Sequence, residues 1–327
     1  MKIIIEKSDI SATMKRAAKV APQKSTMPIF THVALDFDGE LLTITANDGV
    51  RTYSESVPAT GDPGKCTIEA QKLARAITGM KSGPIEITEG QVTQGRSKLK
   101  LESMPFDNFP QPDYEEAKET TLHSSHLAGA IAIVAHAMPQ KDVRPMLNGI
   151  HLTEGFAVAT DGHRLAFWEI DYDGPDITIP ADSVRQMPDM DGVVSVSDNQ
   201  MIIYGKGARF STNLQSGKYP DWRRVIQKEF VATATINADD LIAAMKTAQL
   251  GREFGSFEFT TDTLSVVNDN AEAACDIECG SEITTGFNYQ YVIDAVSVSG
   301  LPSVEIQINE MKSSLINGHF VLMPVRI

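Results

Sequence analysis

A unit of about 110 residues written three times constrains this chain more than any other feature, because the fold of one copy then fixes the whole. Three segments open on a polar residue, continue with apolar residues at helical spacing, and end in a loop and an apolar strand. They are KSDISATMKRAAKVAPQKSTMPIFTHVALDF from Lys7, HSSHLAGAIAIVAHAMPQKDVRPMLNGIHLT from His123 and NADDLIAAMKTAQLGREFGSFEFTT from Asn237. Ser8 or Asp9, Ser124 and Asn237 are the expected N-caps, placed where a side-chain oxygen can take an orphan backbone N–H. An apolar strand ending in a turn follows each time (LLTITANDG, FAVATDG, LSVVNDN), with Asp48, Asp161 and Asp269 in register at intervals of 113 and 108 residues. A short strand then feeds a second helix in CTIEAQKLARAITGM, ITIPADSVRQMPDM and TGFNYQYVIDAVSVSG, and paired alternating strands close each copy. Phe109-Pro110 answers Tyr219-Pro220, and Met104-Pro105 answers Met323-Pro324. The pattern predicts an α+β fold of three tandem units, each strand-rich with two helices, over 1–118, 119–228 and 229–327.

Net charge is −14, and a uniformly acidic surface would repel a polyanion. The basic residues, however, are segregated. Ile10 to Ala34 contains no Asp or Glu but carries Lys15, Arg16, Lys19 and Lys24; Gln71 to Pro84 is again acid-free, with Lys72, Arg75 and Lys81. His123 to Lys141 also lacks acids and holds His126, His136 and Lys141, while the next short helix has Arg185. The third copy is less clean, since Asp239 and Asp240 precede Lys246 and Arg252, although acids in a first helical turn suit the macrodipole. If these helices share one surface, it is positive inside a negative body and can neutralise phosphates without reading bases. No zinc-finger spacing and no reading helix suggests sequence-specific contact. The expectation is weak, salt-sensitive, sequence-indifferent binding of double-stranded DNA.

Other classes are disfavoured. No apolar run approaches the roughly 18 residues of a membrane span, and the opening MKIIIEKSD reads as a strand rather than a secretory signal. Three cysteines, Cys66, Cys275 and Cys279, imply no disulfide framework, so the cytoplasm is the default compartment. Cys275 and Cys279 lie four apart on a predicted strand and share a face; with no His pair nearby they read as buried structural thiols, not a zinc site. Neither GxGxxG nor GxxxxGK[ST] is present. A hydrolase would have to use Asp161 and His163, whose Asp-x-His spacing suits metal or acid–base chemistry, with His151 the only other suggestive histidine. No nucleophile–base–orienter set accompanies them, and no cofactor or metal is expected.

Several motifs spread over nearly the whole chain resemble one family. Leu147-Asn148-Gly149, Ala159-Thr160-Asp161-Gly162-His163-Arg164-Leu165-Ala166, Tyr219-Pro220-Asp221-Trp222-Arg223-Arg224-Val225 and Met323-Pro324-Val325-Arg326-Ile327 are similar to signatures of the bacterial DNA sliding clamp, the β subunit of the replicative polymerase. Thr26 to Ile29 and Gly286-Phe287-Asn288 to Tyr291 fit as well. The resemblance implies a processivity factor, not an enzyme: a head-to-tail homodimer closing a ring around duplex DNA, helices inside and sheets outside. It also implies a pocket between the second and third repeats, into which the replicative polymerase, the clamp loader and repair proteins insert a short motif rich in Gln, Leu and Phe. The pocket would use Leu147, Thr160, Gly162, His163, Arg164, Leu165, Pro220, Arg224, Val225, Asn288, Tyr291, Met323, Pro324, Val325 and Arg326. Lys24, Lys141 and Arg144 match the family's DNA-facing positions; Lys15, Lys19, Lys72 and Arg75 join them from the charge pattern. Physically, Leu147, Leu165, Val225, Met323 and Val325 would supply an apolar floor, and Pro220 and Pro324 rigid walls. Arg164 and Arg224 would hydrogen-bond peptide carbonyls or pack their stems.

The chain departs from the family in two places. It has Met311-Lys312 where an apolar pocket residue is usual, which leaves that position unassigned, and Pro145-Met146 where the family commonly has aromatic residues. The chain is also short for the family, so a monomeric adaptor that binds polymerase peptides without encircling DNA is the alternative reading.

Overall fold

The computed structural model describes residues 1–249 and 252–326. Leu250 and Gly251, in the third repeat's first segment, and Ile327, in the terminal signature, lie outside the described residues. The chain divides into two compact units. The first holds Met1–His126, Asp173–Pro175 and Ile179–Leu214; the second holds Leu127–Tyr172, Asp176–Thr178 and the chain from Gln215.

Among the described residues there are six α-helices, two in each third of the sequence: α1 (Lys7–Val20), α2 (Ala70–Gly79), α3 (Ser124–Val134), α4 (Ala181–Gln186), α5 (Ala238–Ala248) and α6 (Tyr289–Ser299). Their apolar residues recur at three- and four-residue steps and are the ones buried: Ile10, Met14 and Ala17 in α1, Leu73 and Ile77 in α2, Leu241, Ala244, Met245 and Ala248 in α5. In the first unit Gln71 on α2 donates through Nε2 to the α1 carbonyl of Ala18 at 2.6 Å and to that of Ala21 at 3.0 Å, tying the two helices together. No helix among the described residues is long and apolar enough to cross a membrane.

The cap expectation holds only in part. Asn237 caps α5, accepting from Asp239 N at 2.9 Å and Asp240 N at 3.2 Å. Ser8 and Asp9 do not cap α1, because the strand Lys2–Glu6 runs straight into the helix through an extended Glu6 that makes no side-chain cap. Ser124 is already helical, and its hydroxyl is engaged elsewhere: it donates to Met190 O at 2.8 Å and accepts from Gly192 N at 3.0 Å.

Among the described residues the strands pair antiparallel in both units, as between Lys2–Glu6 and Pro84–Thr88 and between Phe156–Thr160 and Arg164–Glu169. In the first unit one sheet has the order Thr60–Asp62, Lys2–Glu6, Pro84–Thr88, Gln91–Gln94, Ser97–Lys100. Its second sheet runs Lys118–His123, Val193–Val196, Gln200–Gly205, Ala208–Asn213, Arg51–Pro58, Leu41–Asn47, His32–Phe37, Gly64–Glu69. In the second unit Gly149–Thr153, Phe156–Thr160 and Arg164–Glu169 continue through Phe320–Leu322 into the strands of the last third.

One joint is therefore built twice. In the first unit Ala208–Asn213 lies beside Arg51–Pro58, with Thr212 opposite Arg51, and Asn213 N donates to Val50 O at 3.0 Å. In the second, Phe320–Leu322 lies beside Arg164–Glu169, with Leu322 opposite Arg164, and Met323 N donates to His163 O at 3.0 Å. The hairpin turns beside these joints match atom for atom. Asp48 Oδ1 accepts from the amides of Val50 and Arg51, and Asp161 Oδ1 from those of His163 and Arg164; each then pairs with its own arginine. In the third copy the acceptor is Asn268, which takes the amides of Asn270 and Ala271. Asp269, expected in register, is displaced by one residue and pairs instead with Arg252 at 2.6 Å.

Candidate functional site

A cavity of about 230 Å³ opens in the second unit where four pieces of backbone converge. They are the 3-10 turn Pro145–Leu147, the hairpin of Phe156–Thr160 and Arg164–Glu169, the 3-10 turn Trp222–Val225, and the end of the Phe320–Leu322 strand. Leu147, Leu165, Trp222 and Val321 are buried together beneath it, with Val225 packed against them. Edge-to-face and tilted contacts of Trp222 with Phe156 (5.4 Å) and Phe167 (5.2 Å) brace the floor. Pro220 and Met323 form walls, and Met323 remains 39% exposed, free to adjust to an incoming group.

The hairpin turn is locked by its own polar groups. Thr160 Oγ1 donates to Arg164 O at 2.6 Å and accepts from Gly162 N at 3.0 Å. Gly162 has φ +90, open to glycine and strained for other residues. A Cβ there would meet Arg144 Nη2 at 2.9 Å, so the missing side chain also makes room for that guanidinium. Arg164 is used internally: Nε reaches Asp161 at 3.1 Å, Nη1 reaches Asp294 on α6 at 2.6 Å, and the guanidinium lies 4.2 Å from the Tyr291 ring centre. Burial, followed by the charge of Asp161, raises the Tyr291 hydroxyl above its ordinary pKa. Beside this knot sits His136, both ring nitrogens buried without a hydrogen-bond partner among the described residues and its ring 5.5 Å from that of Phe320. Burial first, then the neighbouring Arg164 charge, pushes its pKa down to about 4.

Of the residues the resemblance places in the pocket, Leu147, Thr160, Gly162, Arg164, Leu165, Pro220, Val225 and Met323 line the cavity. The others do not line it. Asn288 uses its side chain to cap α6, accepting from Gln290 N and Tyr291 N. Tyr291 stacks under Arg164. Arg224 is 82% exposed and pairs with Asp221 at 2.8 Å. His163 and Arg326 are exposed, Pro324 is half-buried, and Val325 is held by its backbone, its N–H donating to Gly286 O at 2.9 Å. Met311, unassigned from sequence, is 75% exposed and does not line the cavity.

Sequence reasoning missed Asp221, Trp222, Val321 and Arg144 as lining residues. Trp222 stood inside a quoted motif, and Val321 shares a strand face with Met323 by the two-residue period. Arg144 was expected to face DNA; its guanidinium makes a two-pronged contact with Asp142 at 2.9 Å and borders the cavity. That contact holds the Asp142 carboxyl down to about 2.

The remaining expected DNA-facing residues are Lys15, Lys19, Lys24, Lys72, Arg75 and Lys141, and all six are exposed. Lys72 pairs with Glu69 at 2.6 Å and Lys19 donates to the Met187 carbonyl. Arg16, counted with the basic stretch, is turned inward onto Tyr53 and Glu55.

Of the hydrolase residues, Asp161 is saturated by two turn amides and Arg164, His163 is exposed, and the further histidine His151 lies flat on Tyr219 at 4.2 Å. The expected buried thiol pair is corrected to two half-buried thiols on one strand. Burial raises Cys275 to about 11, and Cys279 donates to Ser281 O at 3.1 Å.

The sequence model for the DNA polymerase III beta subunit N-terminal domain matches residues 1–113, and that for its central domain matches residues 121–221. The chain is 24% identical to the beta sliding clamp of Vibrio cholerae and 26% identical to that of Pseudomonas putida, with all of both chains covered in each case. Its fold superposes on a sliding clamp of Bartonella birtlesii solved with griselimycin bound (TM-score 0.92, 22% identity) and on one of Pseudomonas aeruginosa solved with a ligand (TM-score 0.90, 23% identity), all of both chains covered each time. With two family domains matched over residues 1–113 and 121–221, the chain belongs to the DNA polymerase III beta subunit family, the bacterial sliding clamps.

Proposed function

We propose that this chain forms a head-to-tail homodimeric ring of three repeats per subunit (1–118, 119–228, 229–327) around double-stranded DNA. There, in the cytoplasm, it tethers the replicative DNA polymerase and takes up the clamp loader and repair proteins through the cavity beside Trp222. The supporting observation is the joint made twice within the chain and left open a third time. Ser97–Lys100 sits at the edge of its sheet, and it lies where Ala208–Asn213 and Phe320–Leu322 lie in the other copies. Ala271–Cys279 is the third-copy counterpart of Arg51–Pro58 and Arg164–Glu169, and among the described residues its 271–276 stretch is paired on one side only. A second copy fills both vacancies by repeating the joint head to tail. Charge agrees: Arg96, Lys98 and Lys100 mark the first edge, and Glu272 and Asp276 are exposed along the second.

The cavity is suited to apolar anchors. Burying a Leu and a Phe contributes roughly 1.5–3 kcal/mol each, so after ordering costs the affinity is about micromolar, compatible with exchange among partners. Two measurements test the reading. Solution mass should be twice 35.6 kDa, and protein loaded on nicked circular DNA should leave when the circle is cut. A stable 35.6 kDa species would favour the monomeric adaptor, and retention on the cut DNA would contradict encirclement.

A further inference from the structure

Charge on the helices is unequally shared between the ends of the chain. On the stapled pair α1–α2, Lys15 and Lys19 lie one turn apart on the exposed side of α1, Arg75 is exposed on α2, and Lys24 follows α1. None of these four has an acidic partner among the described residues: Lys19 and Arg75 bond only backbone carbonyls, and Lys15 and Lys24 bond nothing. The last third is the opposite case. It carries 14 acidic residues against 4 basic ones, and α5 and α6 together offer Asp239, Asp240 and Asp294 against Lys246 alone. Lys246 stands six and seven residues from the two carboxylates of its own helix, roughly 9–10.5 Å by helical rise, so α5 and α6 together carry no net positive charge to offer a phosphate.

Resting on the reading of the chain as a DNA-encircling clamp, we propose that contact with DNA phosphates is carried by α1 and α2 of the first repeat, while α5 and α6 of the third make none. Hold on the duplex is therefore uneven around the ring, with the third repeat of each subunit contributing none. Each phosphate neutralised contributes a slope of about −0.9 to the dependence of log affinity on log salt. Removing two cations from α1–α2 of each subunit takes four from the dimeric ring and should therefore flatten that dependence by roughly 3–4.

Lysine footprinting on the full-length protein tests this. Acetylation by an N-hydroxysuccinimide ester is followed by mass spectrometry, with and without a blunt duplex of about 30 base pairs at low salt. The expected result is slower modification of Lys15, Lys19 and Lys24 and an unchanged rate at Lys246 and Lys312. Equal protection of Lys246 overturns the proposal, as does a bound duplex that leaves Lys15 and Lys24 unprotected. In parallel, the Lys15→Glu/Lys24→Glu double variant should flatten the salt slope and Lys246→Glu should leave it unchanged. A protein that binds no duplex at all, yet is dimeric, would sink the DNA-encircling reading itself and this inference with it.

Discussion

Removing the Arg164 guanidinium would leave the half-buried carboxylates of Asp161 and Asp294 without the cation both contact, the only one either meets among the described residues. Arg164→Met should therefore cost about 3 kcal/mol in urea unfolding, as breaking a buried pair usually does. Adding Asp294→Asn to it should recover part of that loss. Gly162→Ala combines a left-handed φ with a clash against Arg144, so a loss of at least about 1 kcal/mol is expected, together with weaker peptide binding. His136 makes stability depend on pH. Its pKa in the folded chain is about 4, below the ordinary 6.5, so between these values the unfolded chain binds the extra proton. This contribution is complete above about pH 6.5 and is lost as pH falls toward 4. His136→Phe should flatten unfolding free energy against pH in that window, and an unchanged pH slope would show that another group is responsible. None of these couplings was legible in the sequence, because Asp294 stands 130 residues from Arg164 and no local pattern joins them.

Among the elements, the repeat made the helices and strands readable, since each copy vouches for the other two. What it concealed was the small differences between copies. Asn268 does the work of Asp48 and Asp161, and a search for a recurring Asp lands one residue away. The cap positions diverge in the same way: Asn237→Ala should cost about 1 kcal/mol, whereas Ser8→Ala should leave unfolding nearly unchanged. The pocket is also not repeated. In the first copy the places of Leu165, Val321 and Met323 are held by Thr52, Ser211 and Asn213, as the matching strand registers show. Phe30 packs against Gly49 there, while Gly162 faces Arg144. Peptide titration should accordingly give one site per chain. Deleting residues 323–327 should abolish that site while leaving the dimer intact, and unchanged affinity would refute the tail's role as a wall.

For the whole molecule, the open edges make association depend on charge as well as backbone pairing. Lys98→Glu/Lys100→Glu should yield monomers by light scattering, and a reversed partner edge, Glu272→Lys/Asp276→Lys, should restore the dimer in a mixture of the two. A dimer indifferent to both changes would place the interface elsewhere. The two units also differ in what they display to light. Trp168 and Trp222 are the chain's only tryptophans, and both fall in the second unit, packed among Phe156, Phe167 and His319. Indole emission from the native protein is thus a reading of that unit alone. A guest seated beside Trp222 will shift its colour, and melting of the first unit will leave it dark to the fluorimeter while circular dichroism records the loss.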